Sequence, residues 1–300
     1  MKSKTLISIV GPTAIGKTAL SIGLAKTYQT EIISADSRQF FKEMSIGTAK
    51  PDETEMAGIQ HHFVDFLSIE TLYTAGQFEK DAVNKIGELH QNRPVVIMVG
   101  GSGLYINAVL DGFDEIPSSL AMRKQLNQEF KDNGIVPLQL ELKQLDPAHY
   151  DFMDIHNPQR LIRAIEVCRL SGKPYTSFRN KVKKERPFNT IKIGLTADRE
   201  VIYDRINQRV DLMVKAGLID EVRRLYNQRE LNALQTVGYR ELFEHFDGVG
   251  TLDEAIENIK MNTRRFAKRQ LTWFRKDKET KWFDYRDQDA ISEYLASHLD

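Results

Sequence analysis

Apolar positions follow two rhythms along this chain. Residues 5–10 form an unbroken, largely β-branched run, and residues 94–99 form another. Such runs mark strands buried on both faces of a parallel sheet. Shorter strand signals stand at 31–34, 61–67 and 191–197. Between them the rhythm is helical, at 19–28, at 81–90 and from Leu104 onward. From about Pro117 strand signals vanish for roughly seventy residues. A helix is expected over 118–133, with Ser118 as its cap and Gly134 as its stop, and another over 136–145. Asn157-Pro158 then opens a helix over 159–170 that ends at Ser171-Gly172. On that helix Leu161, Ile165 and Cys168 share a face, with Ile162 close by, while Arg160 and Arg163 share another. After the strand at 191–197 come a helical run over 198–228, broken at Ala216-Gly217, and a second opening at 236–240. A long helix follows over 252–276, acidic at its start and basic at its end, as a helix dipole favours.

The stretch between the first strand and first helix carries chemistry. Gly11-Pro12-Thr13-Ala14-Ile15-Gly16-Lys17-Thr18 fits the phosphate-binding loop G-x-x-x-x-G-K-[ST] in its strand–loop–helix setting. Loop amides and the helix N-terminus converge on an anion there. Lys17 adds a point charge, and the Thr18 hydroxyl can ligate Mg²⁺. The loop certifies a polyphosphate, not a reaction. Asp36 falls beside it, at the carboxyl end of the second strand. Position alone leaves Asp36 open between a helix cap and a role toward the ligand. The strand over 94–99 ends in Gly100-Gly101-Ser102-Gly103, where an NTPase would often carry an acid, and this argues against nucleotide hydrolysis. His61 and His62 are adjacent on a strand, so they face opposite ways and suit structural roles rather than one metal.

The expected fold class is α/β: a P-loop-type parallel sheet flanked by helices, with an all-helical insertion domain. The core would comprise residues 1–115 and 191–300, the insertion 116–190. Composition changes little: 41% hydrophobic and 28% charged residues describe a globular protein. The single cysteine, Cys168, excludes an internal disulfide and fits a reducing, cytoplasmic compartment. Met1-Lys2-Ser3-Lys4 leads straight into a strand rather than a leader's apolar segment. The stretch 95–110 is interrupted by glycines, Ser102 and Asn107 and falls short of a membrane span. The zero net charge hides two basic segments. Residues 156–195 hold ten Lys/Arg against two acids, and 260–278 hold eight against Asp277 alone. Tyr175, Phe178, Phe266, Trp273 and Phe274 are interleaved with them. Basic surface with stacking side chains is a footprint of nucleic-acid binding.

Six landmarks together resemble the tRNA dimethylallyltransferase family across nearly the whole chain. They are the loop at 11–18, Ser34-Ala35-Asp36-Ser37-Arg38-Gln39, Gly100 to Tyr105, Asn157 to Arg163, Val237-Gly238-Tyr239-Arg240, and Lys268 to Arg275. The last three are the most specific. The resemblance implies transfer of a dimethylallyl group from its diphosphate to the exocyclic amine of the adenine just 3′ of the anticodon, position 37. The loop would then grip dimethylallyl diphosphate rather than ATP, with Mg²⁺ on Thr18. Asp36 would be the general base, with Lys17, Thr18 and Arg209 serving the diphosphate. tRNA would meet Asp36, Ser37, Arg38, Gln39, Ser102, Arg123, Gln159, Arg160, Leu161, Ile162, Arg163, Val237, Gly238, Tyr239, Arg240, Lys268, Arg269 and Arg275. The insertion domain would be a tRNA-binding one, and the protein a cytoplasmic monomer without membrane attachment. Members often carry Thr where Ser102 stands, and Ser keeps the hydroxyl. Two other functions compete: a P-loop small-molecule kinase using Asp36 on a hydroxyl, and an RNA-binding regulator whose loop only senses phosphate.

Overall fold

The computed structural model describes residues 4–112, 116–178 and 183–299. In chain order, β1 (Thr5–Val10) is followed by α1 (Lys17–Thr27), β2 (Ile32–Ser34), α2 (Glu53–Met56), β3 (His61–His62), α3 (Ala75–Leu89), β4 (Val95–Val99) and α4 (Gly103–Asp111). Next come α5 (Leu120–Asn133), α6 (Val136–Leu145), α7 (Pro147–Phe152), α8 (Pro158–Ser171) and β5 (Asn189–Thr196). The chain closes with α9 (Arg199–Lys215), α10 (Leu218–Arg224), α11 (Arg240–Phe246), α12 (Leu252–Phe274), β6 (Lys281–Asp284) and α13 (Gln288–Ala296). Two compact units result: Met1–Leu110 with Glu185–Asp300, and Asp111–Lys184. The breaks fall a few residues before those read from the pattern. Phe188 explains the second one, because its ring is buried in the sheet's core, and Arg186 beside it binds Glu79 and the Ala108 carbonyl.

In the first unit the six strands pair in parallel in the order β3-β2-β4-β1-β5-β6. Alternation divides the side chains between two faces. Ile7, Ile9, Ile97 and Ile193 pack against α1, α9 and α13. Leu6, Val10, Val96 and Met98 pack against α3 and α4. A third cluster joins α10, α11 and α12 around the fully buried ring of Tyr239.

Several expectations are corrected here. The strand expected over 61–67 stops at His62, because Phe63 and Asp65 turn into the left-handed region. His61 hydrogen-bonds within its own stretch, at the Ile59 carbonyl, and His62 pairs with Glu31. α3 begins at Ala75 because Thr74 caps it. Ser119, not Ser118, caps α5. The helical run to 228 gives way after Arg224 to a 3₁₀ turn. β6 and α13 had no counterpart in the pattern.

In the second unit α5, α6 and α8 surround Leu126, Leu138, Leu142, Leu161 and Ile165. Asn157 caps α8, and Gly172 ends it in the left-handed region. Two carboxylates are buried in this unit, Asp146 and Glu166. Glu166 is fully buried and accepts from the Ser119 amide, from Arg123 and from Arg163. Burial alone would raise its carboxyl, but those three donors outweigh it and hold the group below its ordinary 4.5. Removing the carboxylate leaves two partly exposed arginines without it, so the cost lies below the ~3–5 kcal/mol of breaking a fully buried pair. Glu166→Ala should therefore lower the urea midpoint of the full chain. The sign of the pH dependence follows from the lowered value: the stabilisation is present above about 4.5 and is lost as pH falls through the folded-state value. A parent-to-variant gap that stays constant down to pH 3 would count against this account.

Candidate functional site

Three strand ends build the site. Ile9 pairs with Val99, and Val99 with Ser34, so the three stand in one row across the sheet. Past that row the strands end, and Gly11, Gly101 and Asp36 follow in the turns at the carboxyl edge, where open α/β sheets bind ligands. Gly11 has φ +148°, and a Cβ there would meet the Leu195 carbonyl oxygen at 2.7 Å. Gly100 has a similar reason: a Cβ would stand 2.3 Å from the Ala35 carbonyl oxygen. The close approach of the β2 and β4 ends thus explains why glycines stand where an acid was considered.

The loop at 11–18 is held by its neighbours. Lys17 Nζ donates to the Gly11 and Pro12 carbonyls at 3.1 and 2.8 Å. Burial pushes its ammonium down to about 8; Asp36 opposes that shift, and Arg209 adds to it. Arg209 donates to the Thr13 hydroxyl, and burial lowers it too, against the pull of Asp36. Arg205 donates to the Ala14 carbonyl at 2.8 Å and lies over the Tyr285 ring. The Ile15 side chain is buried in the core, so this residue offers only its backbone. Gly16 begins α1 at φ +108°, and Thr18 is exposed on its first turn.

Asp36 is half-buried and accepts from the Arg38 amide at 3.1 Å. No helix follows it, so it closes a turn rather than capping a helix. Ser102 accepts from the Ser37 amide at 2.9 Å and donates to the Ser37 hydroxyl. These groups border a cavity of about 440 Å³, a size usual for small-ligand sites. Asp36, Ser102, Thr13 and Arg209 form its polar end; Val210, Met213, Leu218 and Ile259 are among its apolar walls.

Other expected residues are placed differently. Tyr239 is fully buried and donates to Glu221 at 2.6 Å, so its side chain is core and does not face RNA. Leu161 and Ile162 are core for the same reason. Arg123 and Arg163 are engaged by Glu166. Arg38 borders the cavity and donates to the Asn232 and Ala233 carbonyls, while Gln39 donates to those of Thr48 and Ala49, within the fold. Gly238 is buried, and its amide donates to Glu241. Val237 lines the cavity. Gln159, Arg160, Arg240, Lys268, Arg269 and Arg275 are exposed. Arg179 and Lys181, counted in the first basic segment, lie outside the described residues. Three contributors carried no signal of their own: Gln270, which bridges two loops, Arg205 and Glu221. Gln270 does sit within the stretch 268–275, which was already singled out.

Among the described residues no three His, Cys, Asp or Glu cluster as a metal site. The donors near the loop are oxygens, the Thr18 hydroxyl foremost. So sparse and hard a set suits Mg²⁺, which keeps several waters and takes phosphate oxygens, and does not suit zinc. No helix among the described residues is long and apolar enough to cross a membrane.

Residues 39–277 match a family model described as IPP transferase. The chain is 57% identical over 299 residues to a tRNA dimethylallyltransferase of Christiangramia forsetii, with 99% of both sequences covered. It is similar to the solved structure of a tRNA isopentenylpyrophosphate transferase from Bacillus halodurans: 39% identity, TM-score 0.72, 98% of this chain and 96% of that one. It is also similar to a eukaryotic dimethylallyltransferase acting on tRNA: 25% identity, TM-score 0.81, 99% of this chain and 81% of that one.

The lowered Lys17 predicts how anion binding responds to pH. The cation is present below about 8 and lost above it. Inorganic diphosphate should bind the parent more tightly than Lys17→Met at pH 7, and the ratio of affinities should shrink as pH rises through 8. Titration calorimetry across pH 6.5–9.5 reads that ratio; one that is flat over the range would contradict the assignment.

Proposed function

We infer the reaction from a plain premise: the chain belongs to the tRNA dimethylallyltransferase family. It transfers a dimethylallyl group from dimethylallyl diphosphate to an adenine amine in tRNA, the adenine at position 37. The observation that carries this reading is the placement of Asp36, just past the end of β2, in one cavity with Thr13 and Arg209. It sets a carboxylate beside a phosphate loop, with no acid at the end of β4.

Each residue then has a task. The loop amides, Lys17 and Arg209 hold the diphosphate. Bound Mg²⁺, held by Thr18, would supply further charge neutralisation on the phosphate oxygens. The apolar wall at Val210, Met213 and Ile259 receives the five-carbon tail. The adenine leaves its stack to enter the cavity. An aromatic amine is a weak nucleophile until its proton is taken, and the Asp36 carboxylate takes it. Nitrogen attacks the allylic carbon, the carbon–oxygen bond breaks, and diphosphate departs with its charge met by Lys17 and Arg209. Desolvation makes those cations count for more than they would in water. The backbone of Gly238 and the side chain of Ser102 border the cavity as contacts for the entering nucleotide. The exposed cations Arg160, Arg240, Lys268, Arg269 and Arg275 take tRNA phosphates, and Gln159, next to Arg160 in the chain, adds a polar contact. The protein is proposed to act as a monomer, and tRNA as substrate supports a cytoplasmic location.

Two experiments test this. Labelled dimethylallyl diphosphate, Mg²⁺ and tRNA should yield modified adenine, and Asp36→Asn should slow the single-turnover rate by about a hundred- to ten-thousand-fold with both substrates still bound. ATP hydrolysis without transfer would restore the kinase reading, and a variant rate within a few-fold of the parent would remove Asp36 as base. For tRNA grip, Lys268→Ala with Arg269→Ala should flatten the log–log salt dependence of tRNA binding by about 0.7–0.9 for each phosphate no longer neutralised. An unchanged slope in that pair would refute their role.

A further inference from the structure

Gln270 lies on α12, and is separated from the phosphate loop by more than 250 residues. It is only 5% exposed, yet its side chain borders the cavity. Its Oε1 accepts from the Thr13 amide at 2.8 Å, and its Nε2 donates to the Gly101 carbonyl at 2.9 Å. The partners settle the orientation of the carboxamide, since an N–H needs an oxygen and a carbonyl needs a donor. A Cβ on residue 101 would stand 2.4 Å from Nε2, so glycine there leaves room for this contact.

These two bonds continue a ladder that the backbone has ended. The β1–β4 pairing runs to Ile9 and Val99, and the Gly100 amide still reaches the Ile9 carbonyl at 3.3 Å. Beyond that, Thr13 has moved into the phosphate loop and Gly101 toward Asp36; the Cβ position of residue 101 is 3.9 Å from Asp36 Oδ2. The Gln270 carboxamide spans the gap with one donor and one acceptor, as a strand residue would. Thr13 is gripped from its other side by Arg209.

We propose that Gln270 is a positioning residue for prenyl transfer, clamping the loop that holds the allylic diphosphate to the loop that carries the acceptor side of the site. This rests on the reaction assigned above. The clamp sets the separation between the allylic carbon and the amine that Asp36 deprotonates. A misplacement of about 1 Å in such a geometry costs on the order of a hundredfold in rate.

The test uses Gln270→Met, which keeps length and removes both bonds, and Gln270→Glu, which keeps the acceptor and removes the donor toward Gly101. Single-turnover rates are measured at saturating tRNA and dimethylallyl diphosphate, beside separate Kd values for each and the thermal midpoint. The parent must form modified adenine in the same assay; its failure to do so would overturn the reaction assignment, whatever the variants do. With an active parent, we expect the rate to fall about ten- to a hundredfold in both variants while each Kd stays within about threefold. A saturated rate within about threefold of the parent would overturn the clamp, as would a loss explained wholly by weaker binding of either substrate. If Gln270→Met does not fold, Gln270→Glu is read alone by the same thresholds.

Discussion

The Cβ that residue 100 lacks would stand 2.3 Å from the Ala35 carbonyl oxygen, a contact no side chain accommodates. That close approach sets the rest of the site. Ala35 donates its own amide to the Val99 carbonyl at 2.7 Å, and Ser102 donates its amide back to Ala35 at 3.3 Å. The turn after β2 and the turn after β4 are therefore one structure. Asp36 follows directly from it, and so does the Ser37–Ser102 pair. A carboxylate or amide side chain at residue 100 would push the two strand ends apart and carry Asp36 away from Lys17. The usual acid of an NTPase and the turn that carries Asp36 compete for the same space.

Buried carboxylates hold the remaining walls. Glu221 is 4% exposed and accepts from the amides of Ser45, Ile46 and Gly47 and from the Tyr239 hydroxyl. Three successive amides aimed at one carboxylate form an anion nest, here filled by the protein itself. Glu241 does similar work between the Gly238 amide and Asn262. Gly47 on one side and Thr236 to Gly238 on the other both border the cavity. The stretch 237–240 therefore shapes the pocket from behind: Tyr239 points into the core while its neighbours Val237 and Gly238 border the cavity. A residue type common to a family motif can serve geometry as readily as contact.

The basic segments divide in the same way. Arg163 and Arg169 pair with Glu166, Glu129 and Glu141; Lys192 is buried against Asp277 and Glu279; Lys260 pairs with Asp211 and Glu257. Part of the local excess of charge is thus matched by acids distant in sequence: Glu129 and Glu141 for Arg169, Asp277 and Glu279 for Lys192, and Asp211 for Lys260. Lys268 and Arg269 remain exposed on α12 and Arg275 and Lys276 just past its end, and Arg269, Arg275 and Lys276 lie over aromatic rings. A window count sees charge but not its partners, which explains why the net charge of the chain is zero while one helix face stays basic.

What was legible in the sequence depended on whether the signal was local. The strands β1 and β4 and the phosphate loop are continuous in sequence, and the periodicity of each stands on its own. Asp36 was placed correctly because strand ends in a parallel sheet gather at one edge, whatever their order along the chain. Its capping alternative failed because the turn after it does not become a helix, which no local propensity encodes. β6 escaped because Lys281–Asp284 is short and only half-buried, and Trp282 gains its place by packing over Gly194. The burial of Tyr239 was not legible because it depends on Glu221 and Gly47, neither near it in sequence. Gln270 is the clearest case. Its two partners lie beyond the ends of separate strands, and its neighbours Lys268 and Arg269 suggest a charged, exposed face. A helix of this length turns one residue inward for every two or three outward. A polar residue on the inward side is costly to bury unless both ends of its amide are satisfied. Once the fold shows which way it faces, an inward-facing amide beside two outward-facing cations points to a pair of backbone groups that the sheet itself leaves unpaired.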